Sequence, residues 1–198
     1  MTSQQKMITM KLETENLLLL SPDQDMTMDV LKLHNTNKQH FSLGSPKNVL
    51  EQTSPLFWKN KLSAEKLLFT KDMQYNFYGR LKDNNQLICH IQVSNMVRGV
   101  FQAAHLGYKI DKQFQGKSLM FEALECIIAY LFDDLNFHRL MANYQPSNQR
   151  SGFLLERLGF HEEGFAKDYL YLDGAWRDHI LTSKTNKNFD TSEFQTKP

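Results

Sequence analysis

The sequence predicts an α/β (α+β) fold in a single domain, and three observations carry that prediction. Apolar or alternating strand-like segments and amphipathic helical segments follow one another as strand, two helices, three strands, helix, strand, helix, two strands. Two tight-turn signals, Asp83-Asn84-Asn85 and Asp173-Gly174, each join neighbouring strands into a hairpin. A helix from Gly116 to Asp134 carries Leu119, Ala123, Leu124, Ile127, Ile128 and Leu131 on one face, with most of its charges elsewhere.

In chain order, Leu17 to Leu20 is an apolar run ended by Ser21-Pro22 and reads as the first strand. Asp25 to Lys38 reads as a helix with Met26, Val30 and Leu33 on its apolar side. Ser42 to Pro55 is rich in turn residues, and Leu56 to Phe69 is helical. Met73 to Lys82 and Leu87 to Val97 are hairpin partners, the second alternating through Leu87, Cys89, Ile91 and Val93. Gln102 to Ile110 is the fourth strand, and the long helix follows it. His138 to Tyr144 is the fifth strand, stopped by Pro146. Ser147-Asn148 opens a helix that stops at Gly159, a residue type suited to a helix C-terminus. Gly164 to Leu172 and Ala175 to Thr182 form the last hairpin. Residues 1–185 are expected to make one domain, and 186–198 a polar, disordered tail.

Composition limits the classes of function. The chain has 198 residues, enough for one domain with a sizeable core. A hydrophobic fraction of 41% and an aromatic fraction of 12% are those of a soluble globular protein. A net charge of +1 makes no electrostatic case for nucleic acid. No apolar run approaches the ~18 residues of a membrane span, and the N-terminus lacks the apolar stretch of a secretory signal. Cys89 and Cys126 are expected to be reduced side chains, the first in a strand and the second in the long helix. The histidines do not show a metal-ligand spacing, and no metal is assigned.

The stretch Gln113-Phe114-Gln115-Gly116-Lys117-Ser118, between a strand and a helix, is suited to binding an anion. The first N–H groups of a helix lack intrahelical partners and carry partial positive charge. Gly116 allows close approach of the backbone, and Lys117 adds a cation. Gly-Lys-Ser resembles the end of a nucleotide-hydrolysing P-loop, but that motif needs glycine where Asp111 stands. An ordinary strand-to-helix turn is the other reading.

The second half of the chain adds to this pattern. With Gln-x-x-Gly-x-Ser after the fourth strand, and Asn148-x-x-Ser151 followed by Leu158-Gly159-Phe160, residues 12 to 184 resemble the GNAT N-acetyltransferase superfamily. Gly116 to Leu124, Met141 to Tyr144, Asn148 to Gly152, Ala166 to Leu170 and Asp173 to His179 look like the RimJ/RimL branch, ribosomal-protein N-terminal acetyltransferases. Within it they are most similar to the RimJ group, which acetylates the N-terminal alanine of small-subunit protein S5. One departure is Ser118, where the family usually has glycine or alanine.

The resemblance implies a mixed, mostly antiparallel seven-stranded sheet, splayed between the fourth and fifth strands. It implies acetyl-coenzyme A as cosubstrate, with its pyrophosphate on Gln115, Gly116, Lys117, Ser118 and Leu119. Backbone groups of Tyr108 and Ile110 would bond the pantetheine amides as an added strand does. Asn148 would bond pantetheine through its side chain, cap its helix, or do both. An N–H between Leu106 and Tyr108 would face the oxyanion. Many members protonate the leaving thiolate with a tyrosine where this chain has Leu155, and RimL-type enzymes are thought to use a serine at the position of Ser151. Ser151 is therefore the first candidate acid and Tyr144 the second, each with a purely packing role as its alternative. Asp168 is a candidate to hold the substrate ammonium or relay its proton, or is a solvated strand carboxylate. Trp58 and Trp176 wall the acceptor groove or belong to the core.

The implied partner is the N-terminus of a ribosomal protein in the cytoplasm, with the ribosome or its assembly intermediates behind it. Two other readings stay open at this point. One is a GNAT enzyme acting on a small-molecule amine, and the other is a non-catalytic coenzyme A-binding or ribosome-associated module.

Overall fold

The computed structural model describes residues 10–42, 44 and 53–194. Its strands are β1 (Lys11–Glu13), β2 (Leu17–Leu20), β3 (Tyr75–Leu81), β4 (Leu87–Val97), β5 (Ala103–Ile110), β6 (Arg139–Met141), β7 (His161–Leu172) and β8 (Ala175–Thr185). The helices are α1 (Thr27–Thr36), α2 (Lys38–Ser42), α3 (Pro55–Thr70), α4 (Leu119–Ala129) and α5 (Gln149–Arg157). One sheet holds the strands in the order β1-β2-β3-β4-β5-β6-β8-β7. Neighbours are antiparallel except β5 and β6, which run parallel. The mixed, mostly antiparallel sheet flanked by helices is therefore as expected, with an eighth strand. The addition is β1, a three-residue edge pairing with β2 that is too short to show periodicity.

Side-chain alternation across the sheet separates two cores. Phe77, Ile91, Val93, Ala104 and Leu106 join Ala123, Leu124, Ile127 and Leu131 of the α4 segment on one face. Tyr78 and Leu87 join Val30, Leu33, Trp58 and Leu62 from α1 and α3 on the other.

Three elements differ from expectation for local reasons. The helix predicted from Gly116 begins at Leu119, because Gly116 and Ser118 have φ of 74° and 59°, incompatible with a right-handed helix. It ends in a widened π turn over Tyr130–Asp134, which leaves both Leu131 and Phe132 buried. The fifth predicted strand, His138 to Tyr144, pairs regularly only over Arg139–Met141, and Tyr144 rejoins at a single bridge to Ile180.

The expected loop from Ser42 to Pro55 falls largely outside the described residues. Residues 186–190 follow β8 and are bonded back to the domain rather than free of it. The Asn186 side chain donates to the Phe132 carbonyl at 3.1 Å, and Asp190 exchanges hydrogen bonds with Asn136. Among the described residues no helix is long and apolar enough to cross a membrane.

Candidate functional site

The site begins where β5 and β6 part. Their pairing runs over Ala103↔Arg139, Ala104↔Leu140 and His105↔Met141, and among the described residues it goes no further. Beyond His105, β5 remains bonded to β4 through Leu106, Gly107, Tyr108, Lys109 and Ile110, leaving its other edge without a strand partner. Gly107 is exposed although it lies in the middle of the sheet, and a Cβ built on it would meet nothing within 4 Å. An open groove therefore lies over this residue.

At the end of β5 the chain makes a short turn over Lys112–Phe114 before α4. Asp111 is buried, and its carboxylate accepts from the Gln113 N–H at 2.9 Å. Asn37, at the end of α1, accepts from the Lys112 N–H at 2.9 Å and so holds the turn from the other core. Among the described residues the N–H groups of Gly116, Lys117 and Ser118 have no protein acceptor. Ser118 caps α4 in the left-handed region without a side-chain cap bond. These free donors lie at the N-terminus of α4, at the turn for which anion binding is the expectation from sequence.

The Gln115 side chain is engaged with protein groups. Its amide oxygen accepts from Arg150 at 2.7 Å, and its nitrogen lies 2.7 Å from His40 Nε2. Burial lowers the basicity of His40, and the nearby cations Lys112 and Arg150 add to that effect.

Opposite the turn, α5 begins at Asn148. The Asn148 side chain accepts from the Ser151 N–H at 3.4 Å, a helix cap. Ser151 is buried, and its hydroxyl lies 2.6 Å from the Tyr108 hydroxyl on β5. Burial pushes the Tyr108 phenol up to about 12, so it is protonated at neutral pH. Two neutral hydroxyls in contact share one hydrogen, and the other O–H remains available to a third group. Tyr144 lies against the same helix. A Cβ on Gly152 would come within 2.8 Å of the Tyr144 phenol, which accounts for a glycine inside α5.

Other sequence candidates lie apart. Asp168 is exposed on a bulge of β7 with φ of 49°, its N–H donating to Asp178. Among the described residues no hydrogen bond links its carboxylate to Ser151, Tyr144 or Tyr108. Trp58 is 2% exposed and belongs to the core, where it stacks against His34. Trp176 is exposed beside Tyr171 on the last hairpin. Neither cysteine is in a disulfide.

Sequence reading missed the Tyr108 hydroxyl, Asn37, His40, Arg150 and the open space over Gly107. Gly107 was the one with a usable signal, since glycine inside a strand often marks close approach of another chain or ligand.

The acetyltransferase (GNAT) domain family matches residues 17–161. The [ribosomal protein uS5]-alanine N-acetyltransferase of Escherichia coli K12 is 53% identical over 107 residues, 54% of this chain and 55% of that protein. The chain thus spans about half the length of that curated relative in the matched region. The crystal structure of the ribosomal-protein-S5-alanine acetyltransferase from Vibrio fischeri superposes with a TM-score of 0.87 at 34% identity, covering 91% of this chain and 99% of that one. Mycobacterium smegmatis RimJ in complex with CoA-disulfide shares the fold, with a TM-score of 0.82 at 22% identity over 93% and 90% of the two chains.

Proposed function

The chain belongs to the GNAT acetyltransferase family, and from that premise we propose that it transfers acetyl from acetyl-coenzyme A to the N-terminal alanine of a ribosomal protein, the S5 counterpart. Residues 1–185 would form the acetyltransferase domain. The observation that carries this reading is the alignment of three features along one opening: free turn amides at Gly116 to Ser118, an unpaired β5 edge at Tyr108 and Ile110, and the paired hydroxyls of Tyr108 and Ser151. The two S5-alanine acetyltransferases that this chain resembles supply the acceptor class.

In this reading Gln115 to Leu119 receive the pyrophosphate. The free edge of β5 bonds the pantetheine amides, with Asn148 contributing on the opposite side. Acetyl-coenzyme A supplies an activated thioester. The acceptor nitrogen forms a bond to the acetyl carbon, and a β5 N–H between Leu106 and Tyr108 stabilises the oxyanion. The C–S bond then breaks, and its electron pair leaves with sulfur. Ser151 donates a proton to that sulfur while Tyr108 holds the Ser151 oxygen in place, and the proton lost by the acceptor nitrogen passes through water to restore the serine O–H. Tyr144 packs Gly152 against this pair. Asp168 is kept as a contact for the acceptor ammonium from the β7 rim.

The choice of an α-amine has a physical basis. Its pKa of ~7.7–8.0, against ~10.4 for lysine, makes deprotonation easier by about 3.4 kcal/mol. A site without a strong base would therefore favour an N-terminus.

The Ser151→Ala variant tests the assignment of the acid. It is expected to bind acetyl-coenzyme A as the parent does and to turn over about a hundredfold more slowly. Unchanged turnover would remove Ser151 from the chemistry. Tight binding by a parent protein that transfers acetyl to no amine would favour the non-catalytic alternative.

A further inference from the structure

Arg150, Gln115 and His40 form a hydrogen-bonded chain beside the phosphate turn, drawn from three parts of the sequence. Arg150 donates to the Gln115 oxygen at 2.7 Å, and the Gln115 nitrogen meets His40 Nε2 at 2.7 Å. Chemistry fixes the direction of the chain. A guanidinium only donates, so the amide oxygen of Gln115 must face it, and the amide nitrogen must face His40. Nε2 of His40 is then an acceptor, and the ring proton lies on Nδ1. Each member constrains the next, and Arg150 at one end presents the cation.

Four features indicate that this cation serves an anion from outside the protein. Arg150 is the second residue of α5, where the helix dipole disfavours positive charge. Among the described residues no carboxylate is ion-paired with it. The carboxylate of Asp111, in the same turn, is directed inward onto the Gln113 N–H. Gln115, which holds Arg150, immediately precedes the free amides of Gly116 to Ser118.

We propose that Arg150 is a phosphate ligand for the nucleotide end of the coenzyme, and that Gln115 and His40 are the residues that position it. The proposal rests on the acetyl-coenzyme A reading above. Arg150 adds a positioned cation to the backbone amides of the turn, beside Lys117. The pyrophosphate and the 3′-phosphate share the chemistry it recognises.

Calorimetric titration with coenzyme A and with dephospho-coenzyme A tests this on the parent, Arg150→Gln, Arg150→Lys and Gln115→Leu proteins. Arg150→Gln is expected to weaken coenzyme A about ten- to a hundredfold, the range of a charge-assisted hydrogen bond, with Arg150→Lys intermediate. The same loss with dephospho-coenzyme A assigns the pyrophosphate, and a loss seen only with coenzyme A assigns the 3′-phosphate. Binding by Arg150→Gln within twofold of the parent overturns the proposal. Gln115→Leu followed by Arg150→Gln separates positioning from packing. The second change should cost less in that background, and an equal cost overturns the role of Gln115. A parent protein that binds neither nucleotide would refute the acetyl-coenzyme A reading itself, an outcome distinct from failure of the Arg150 assignment.

Discussion

The hydroxyl of Tyr108 lies 2.6 Å from the hydroxyl of Ser151, and this contact joins β5 to the first turn of α5 beyond the last paired residues of β5 and β6. Because burial keeps Tyr108 protonated, it can donate to Ser151 throughout the neutral range, which in the proposed reaction leaves the serine proton for the departing sulfur. Tyr108→Phe keeps the ring and removes that donor. Turnover is expected to fall by up to about tenfold, the worth of one neutral hydrogen bond, with coenzyme A affinity within twofold of the parent. In a Ser151→Ala background the same change should have little further effect. Equal losses in both backgrounds would contradict the coupling.

Gly107 faces open space in the middle of β5, and its φ is not in the left-handed region, so a side chain can be added without backbone strain. Gly107→Leu is expected to leave the thermal midpoint and coenzyme A binding within error of the parent. The same change should raise the acceptor KM by about tenfold or more, since the added side chain would occupy the groove proposed for the acceptor. An unchanged acceptor KM would place the acceptor elsewhere.

Ser118 stands at φ 59°, ψ 1°, a left-handed conformation that costs a non-glycine residue roughly 1–2 kcal/mol. Glycine relieves this at the expense of greater freedom in the unfolded chain. Ser118→Gly is expected to stabilise the protein by about 1 kcal/mol in chemical denaturation, and Ser118→Val to destabilise it by more. Equal stability of the three proteins would show that the turn is not strained.

His34 is pressed between Trp58 and Phe41 with its Nε2 buried and unbonded, and burial lowers its pKa to about 3. His90, half-buried, is shifted in the same direction by desolvation. The unfolded chain takes up these protons near pH 6.5, whereas the folded one resists. The contribution of His34 is therefore complete above about pH 6.5 and falls as the pH drops towards 3, by up to about 1.4 kcal/mol per pH unit, and His90 acts in the same direction. Glu65, whose carboxyl is raised by burial, offsets part of this at lower pH. His34→Phe is expected to flatten the acid limb of the stability curve, and an unaltered slope would contradict the assignment.

What could be read from the sequence follows the range of the interactions involved. The turn before α4 was legible because Gly116 and a strong helical face adjoin it in sequence. The place of Asn148 and Ser151 at the start of α5 was legible from a short motif. The start of α4 was misplaced, because the left-handed conformation of Ser118 is a backbone property that a serine does not announce. Tyr108 reads in the strand as one more alternating apolar residue, and its hydroxyl gains meaning only beside Ser151, 43 positions away. His40 and Asn37 reach the turn from 75 residues earlier. Nothing in their local sequence marks them. Asp168 was singled out from its neighbours in a motif, and the structure leaves it exposed at a bulge of β7.

The central claim is that this fold acetylates an alanine α-amine. Its most direct test is release of free coenzyme A thiol from acetyl-coenzyme A with two short peptides. One begins with a free alanine, and the other has a blocked N-terminus and an internal lysine. Turnover on the free alanine alone is the predicted result. Turnover on the lysine peptide alone, or on neither peptide while a small amine such as a polyamine is acetylated, would contradict the claim.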